Sequence, residues 1–480
     1  MPSKENFYSI LENFLQLSPT VEQQQAMEQL SRFVNRQTVE NELFVLKGYA
    51  GTGKTTLVSA LVKTLQSYQR NCVLLAPTGR AAKVFAAYAN QKAYTIHKLL
   101  YRVRKKNDQI YFVRRENKLK NTIFLVDEVS MISNKNQSGD FFSSQSLLED
   151  LFSFVFEGEN CKMVFIGDDA QLPPVHTVES PALHVNYLLS LCNVNIFTAT
   201  LTEVVRQSYD SGILLNANQL RHKIEVENFD YPLFKHNHFE DFISLSGYEL
   251  EETLNNLYRS YGNEEVVIIT RSNKRAIQFN HEIRNRIFFR ENRIATGDYI
   301  MAVKNNYYWL DESSEVGFIA NGDIMEIEAI NSMREMYGFN FADVSVRLCD
   351  YPQHPTIDIK IILESLDVEE ASLPYETTHR LYQAIAEDYT HIISPRKRFL
   401  TIKNNPYLNA VQVKFAYSLT CHKTQGGQWK AVLIDRGFAS RENTDKAYLR
   451  WLYTAVTRAS EKVFLINFPQ DIFAENDENN

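Results

Sequence analysis

At 480 residues, the chain is too long for one compact core, and its 44% hydrophobic content is that of a globular protein of two to four domains. The net charge of −7 argues against coating nucleic acid by bulk charge, which still leaves room for a local basic groove. No run of about 18 apolar residues exists to cross a membrane.

The first residues, MPSKENFYSI, lack the basic-then-apolar build of a signal peptide. Five scattered cysteines (Cys72, Cys161, Cys192, Cys349, Cys421) show no metal-ligand spacing, so a reduced, cytoplasmic chain without structural zinc is expected. The first element, SPTVEQQQAMEQL, reads as a helix capped by Thr20 with Gln23 three residues on. A glutamine amide here also has the donor and acceptor needed to read adenine. The local residues alone favour the cap.

The stretch VLKGYAGTGKTTLV (residues 45–58) carries the clearest chemistry. Gly48, Gly53, Lys54 and Thr55 satisfy the phosphate-loop spacing, with Ala50, Gly51, Thr52 and Thr56 completing the turn. Glycines let successive N–H groups face one concavity, and the next helix adds its dipole. Lys54 would reach the β and γ phosphates of ATP, and the Thr55 hydroxyl would ligate Mg²⁺. A buried-strand run before it and helical spacing after it raise this above a chance match.

Two further segments, APTGRAAKV and YTIHKLL, place Pro77, Thr78, Thr95 and His97 at or just beyond strand ends. A lone histidine is more often structural. Residues 98–120 hold nine basic side chains against Asp108 and Glu116, and YRVRKKNDQIYFVRR alternates as two strands around an Asn-Asp turn. Tyr111 and Phe112 there are read as packing residues before base-stacking ones.

NTIFLVDEVSMI is a buried strand ending in Asp127 and Glu128. Asp127 would hold Mg²⁺ through water, and Glu128 would deprotonate the attacking water. CKMVFIGDDAQLPPV repeats the pattern and puts Gln171 where it would sense a γ-phosphate. The polar loop 133–146 carries no assignable role. Downstream, EEVVIIT reads as a strand from Val266 to Thr270, and GFIANGDIMEIEAI as a hairpin on Asn321–Gly322. PYETTHRLYQAIAEDY reads as a helix. In VQVKFAYSLTCHKTQGG a strand runs into Thr420, His422, Lys423 and Thr424.

Eight segments in order carry a family resemblance: LSPTVEQQQA, GYAGTGKTT, APTGRAAKV, YTIHKLL, LVDEVSM, GDDAQLPPV, YSLTCHKTQGGQW and YTAVTRAS, with LTEVVRQS between the sixth and seventh. The sequence resembles the superfamily 1B DNA helicases of the RecD/Dda type from about residue 18 to residue 467, with PIF-type helicases close. The resemblance implies an α/β fold of two RecA-like domains with parallel sheets flanked by helices, plus a β-hairpin insertion and an accessory domain containing β structure.

The boundaries expected are 1–205 for the first domain, with the hairpin at about 98–121; 206–299 and 411–467 for the second; 300–410 for the insertion; and a disordered acidic tail over 468–480. The resemblance also shifts Gln23 toward adenine, gives Gly427 to the nucleotide, and makes Arg206 and Arg458 the arginines that reach the γ-phosphate. It makes Pro77, Thr78, Thr95, His97, Thr420, His422, Lys423 and Thr424 strand contacts, and the hairpin a wedge.

The activity implied is ATP- and Mg²⁺-dependent 5′ to 3′ movement and unwinding by a monomer. Its partners would be single-stranded and forked DNA, with other replication or repair proteins, in the nucleoid. A protein-remodelling ATPase and an inactive subunit of a nuclease complex are the competing readings; the strand-end residues weigh against the first, and the intact Lys54, Asp127, Glu128 and Arg458 against the second.

Overall fold

The computed structural model describes residues 4–37, 40–106, 109–134, 146–175, 177–205, 211–310, 316–437 and 444–473. Continuous apolar runs such as LFVL, TIFLV and MVFI bury both faces, which requires a sheet covered on each side. They become β1 (Glu42–Gly48), β2 (Asn71–Ala76), β3 (Ala93–Thr95), β6 (Thr122–Val126), β7 (Lys162–Gly167) and β8 (Asn195–Leu201), with β4 (Tyr101–Lys106) and β5 (Gln109–Arg114) outside the sheet. The sheet runs in the order β3-β2-β6-β7-β1-β8, all parallel. One core lies on each face: Phe44, Leu57 and Leu61 on one side, Phe124, Leu151 and Phe165 on the other.

β4 and β5 pair antiparallel from Tyr101↔Arg114 to Lys106↔Gln109, as the alternation predicts. The expected turn residues Asn107 and Asp108 lie outside the described residues, as do 135–145 of the polar loop.

The second half starts earlier than its first obvious strand. β9 (Phe242–Leu245) precedes β10 (Val266–Thr270) and forms an edge of the second parallel sheet, ordered β16-β10-β17-β18-β9, with β16 (Ser418–Thr420), β17 (Trp429–Asp435) and β18 (Ala459–Ile466).

Between β10 and β16 the chain makes a closed barrel of β11 (Tyr299–Ala302), β12 (Ile324–Met336), β13 (Phe339–Leu348), β14 (Ile357–Ile362) and β15 (Val411–Phe415). β15 therefore closes the barrel against β11 and β14, and the second sheet resumes only at Ser418, later than the sequence suggests. VQVKF pairs its backbone with β11 and β14, while its buried side chains share one core with Val344 and Ile361 of the barrel and Ile268 and Leu433 of the sheet. The helices Tyr375–Asp388 and Pro395–Lys403 belong to this insertion.

Two expectations are corrected. Asn321–Gly322 is a turn, with Gly322 at φ +99°, but it is not the tip of a hairpin, because β12 pairs with β11 and β13. The tight reversal is Tyr337–Gly338, both left-handed (φ +56° and +73°), as a primed two-residue turn demands. The acidic tail is not disordered from 468: Phe468, Ile472 and Phe473 are buried in the second core, and Phe234 bridges to Phe473.

The barrel is fixed to the second half by a buried network. Asp298 accepts from Arg284 and Arg290, and Tyr417 Oη donates to the same carboxylate.

Candidate nucleotide cleft and strand track

The phosphate loop joins β1 to the helix Lys54–Ser67. Gly51 and Gly53 hold φ of +77° and +74°, and a side chain on Gly53 would strike the Gln23 amide nitrogen. Lys54 Nζ donates to Gly48 O at 3.0 Å, closing the loop on itself. Thr55 and Thr56 are exposed at the helix start.

Gln23 completes a capping box with Thr20, and its Nε2 also donates to Thr52 O at 2.9 Å. Both ends of the amide are thus engaged, and the structure gives Gln23 the role of bracing the loop and not of facing open cleft. Glu22 beside it accepts from the Thr202 and Glu203 amides, and Val205 N–H donates to Gly51 O at 3.0 Å. The segment leading to Arg206 is therefore tied to the loop, while Arg206 itself lies outside the described residues.

Asp127 and Glu128 follow β6, where parallel strands present their carboxyl ends to a ligand. Asp127 accepts from the Glu128 amide at 2.8 Å and from Tyr88 Oη at 2.6 Å. Burial, with the neighbouring Glu128 charge, holds its carboxyl above the usual range, and Lys54 opposes that. Glu128 sits at φ +53°, a strained conformation for a non-glycine residue, and its Oε2 is buried with no hydrogen bond. Gln171 is buried beyond β7 with its Oε1 equally orphaned. Each is a buried acceptor that a water or ligand would satisfy.

The second half reaches this site through the helix Lys446–Val456. Arg458, just past its end, lies 3.6 Å from Glu128 Oε1 and also donates to Thr454 O and Gly427 O. Gly427 packs at this lip, where a side chain would strike Trp429. Arg450 donates to Val178 O and Asp169 O, and Thr454 Oγ1 accepts from Leu172 N–H. Tyr453 Oη donates to Asp168 Oδ2 and accepts from Ala50 N–H. Burial pushes the Asp168 carboxyl up to about 6, against the pull of Lys54.

Sequence reading missed Tyr88, Arg450, Tyr453 and Thr454. The four-residue spacing of Arg450 and Thr454 on one helix, continued by Arg458 just past its end, is the signal the sequence carries.

The proposed strand residues divide. Thr78 caps the helix Gly79–Ala89 and is half-buried beside Pro77. His422 is exposed, and His97 is half-buried, its imidazole driven down to about 4 by desolvation. Thr420 is half-buried and makes no side-chain cap.

Thr95 and Thr424 are corrected. Thr95 is 4% exposed and accepts from the Lys98 amide as a cap; Thr424 is 0% exposed and donates to Cys421 O. Both side chains are buried, so neither hydroxyl is open to a strand in this conformation.

Lys423, driven down to about 8 by burial, donates to Asn321 of the barrel. The same barrel turn sets Asp323 against Gly79, and Lys83 donates to Cys349 O beside Asp350. Asp323 and Asp350 are both buried, and burial lifts Asp323 to about 7.

Among the described residues, no group of three or more His, Cys, Asp or Glu side chains could hold a metal unaided. One hydroxyl (Thr55) and a carboxylate (Asp127) fit a Mg²⁺ completed by water and phosphates. Among them too, no helix is long and apolar enough to cross a membrane.

Comparison with known proteins agrees with this geometry. Residues 19–231 match the AAA domain family, and 415–466 the UvrD-like helicase C-terminal domain. The uncharacterized protein R530 of Acanthamoeba polyphaga mimivirus is 24% identical over 92% of this chain and 98% of its own. The ATP-dependent RecD2 DNA helicase of Deinococcus radiodurans is 32% identical over 39% of this chain, and the ATP-dependent DNA helicase dda of Enterobacteria phage T4 is 29% identical over 34%. These matches span only 22% and 34% of the two helicases' own lengths. A Bacteroides Pif1 helicase crystallised with ADP-AlF3 and single-stranded DNA aligns over 96% of this chain and 95% of its own, at 16% identity and a TM-score of 0.46. By its nucleotide motifs, its two matched domains and these curated relatives, the chain is similar to the superfamily 1B helicases of the RecD/Dda type.

Proposed function

We propose that this chain is an ATP-driven DNA helicase that moves 5′ to 3′ on one strand and separates the duplex ahead of it. The observation that carries this is Arg458, which belongs to the second sheet's half yet lies 3.6 Å from Glu128 of the first. A site completed from both halves makes hydrolysis depend on their approach, so chemistry and domain movement are coupled.

Lys54 would grip the β and γ phosphates and Glu128 would take the proton of the attacking water. Gln171 would orient that water through its orphaned oxygen. Arg458, joined by Arg206, would counter the charge that builds on the phosphate. Mg²⁺ held by Thr55 and Asp127 would neutralise phosphate charge.

Thr78, His97, Thr420, His422 and Lys423 are proposed as backbone contacts, which position a strand without reading it. The β4–β5 hairpin is proposed as the separating wedge. An unwinding assay on duplexes with a 5′ or a 3′ single-stranded tail, with ATP and Mg²⁺, tests this. Unwinding of the 5′-tailed substrate alone is expected; unwinding of only the 3′-tailed one overturns the polarity, and of neither, the activity.

A further inference from the structure

Tyr453 stands on the helix Lys446–Val456 of the second half, yet its hydroxyl bonds to two groups of the first. Oη donates to Asp168 Oδ2 at 2.6 Å and accepts from Ala50 N–H at 2.9 Å. Ala50 lies inside the phosphate loop, and Asp168 follows the end of β7. Tyr453 is 0% exposed and Asp168 2%, so water cannot replace either bond while the halves stay together.

The neighbouring contacts differ in kind. Thr454 and Gln425 grip Leu172, and Arg450 grips Asp169 O and Val178 O, all beyond the loop. Arg458 faces Glu128. Of these cross-contacts, that of Tyr453 is the one made to the amide run that would cradle phosphate.

We propose that Tyr453 is a positioning residue that reports the state of the phosphate loop to the second half. Its hydroxyl joins Ala50 to Asp168 only while the cleft is shut. Opening strips a buried amide and a buried carboxylate of one partner at the same moment. A nucleotide that draws the loop's amides to itself changes what Ala50 offers the tyrosine, and so shifts the open–shut balance. This inference rests on the cleft being the ATP site of a strand-binding motor.

Tyr453→Phe keeps the ring and removes the hydroxyl. The affinity of fluorescent oligothymidylate is measured by anisotropy for wild type and variant, without nucleotide, with ADP, and with a non-hydrolysable ATP analogue. Wild type should bind with at least a roughly tenfold span across these states, and Tyr453→Phe should compress the span to under about threefold. Thr454→Val, which removes a neighbouring cross-contact without touching the loop, should keep the span within about twofold of wild type.

A Tyr453→Phe protein with a lower melting temperature but an intact span overturns the proposal, as does equal compression in Thr454→Val. If Tyr453→Phe does not fold, Asp168→Asn, which weakens the same hydroxyl's donor bond, must compress the span or the proposal fails. Wild type without any nucleotide-dependent span overturns the motor reading and this one together; a wild-type span unmoved by Tyr453→Phe overturns this one alone.

Discussion

Substituting Glu128 by Gln separates binding from chemistry at the cleft. The amide keeps the side chain's shape and the left-handed backbone at φ +53°, and it loses both the base and the negative charge. Loss of a positioned general base costs about 10²–10⁴ in rate, or about 3–5 kcal/mol of barrier. The charge matters separately. Glu128 Oε1 and Arg458 Nη1 are 3.6 Å apart, with side-chain exposures of 19% and 5%. At an effective dielectric of about 20 their attraction is about 5 kcal/mol before desolvation is subtracted. That attraction competes with a phosphate for the same guanidinium. The Glu128→Gln variant should therefore leave Arg458 freer and bind ATP as tightly as wild type or several-fold tighter. The assay pairs steady-state hydrolysis, with saturating single-stranded DNA, with equilibrium titration of a fluorescent ATP analogue. A collapse of nucleotide affinity with turnover preserved would refute the assignment and move the base to Asp127.

Lys54→Ala should abolish hydrolysis without unfolding the protein, since Lys54 makes one loop-closing bond here; wild-type turnover in a malachite-green assay would put the site elsewhere. Strand binding should weaken steeply between about 50 and 200 mM salt, read by anisotropy, because each phosphate contact releases a counterion; a flat response counts against the track. Deleting Lys105 to Gln109 should spare DNA-stimulated hydrolysis and slow unwinding, since the wedge is what couples ATP-driven stepping to the cost of about 1.4 kcal/mol per base-pair step; full unwinding leaves only a basic surface. Asp323 holds its proton longer when folded (about 7) than at its ordinary 3.8, so its contribution to stability falls as pH rises between those values. Asp323→Asn should flatten that slope in thermal melts at about pH 5 and pH 8, and an unchanged slope removes Asp323 as its source.

The phosphate loop, the acid-ended strands and the hairpin were legible because each depends on neighbours in sequence: apolar runs, glycine geometry, alternation. What was hidden depends on who packs against whom. Nothing local tells that VQVKF closes a barrel while SLT two residues later joins a sheet, or that Phe473 is a core residue behind an acidic stretch. Thr95 and Thr424 looked like free hydroxyls at strand ends because a sequence does not show which backbone group claims them. Gln23 shows both sides: its cap was read from spacing, and its bond to Thr52 spans 29 residues.

The barrel's attachment has a mechanical consequence. It leaves the second half by β11 and returns by β15, two adjacent antiparallel strands, and Asp298, Arg284, Arg290 and Tyr417 rivet that root. It cannot swivel freely on such a mount. Meanwhile its Asp323 turn and Cys349 bear on Gly79 and Lys83 of the first half. A change in the angle between the two halves would therefore carry the barrel with the second half, because its root and its Asn321 turn are both bonded to that half. Each cycle would lift the Asp323 turn off the helix Gly79–Ala89 and set it down again, as a pawl rides a rack.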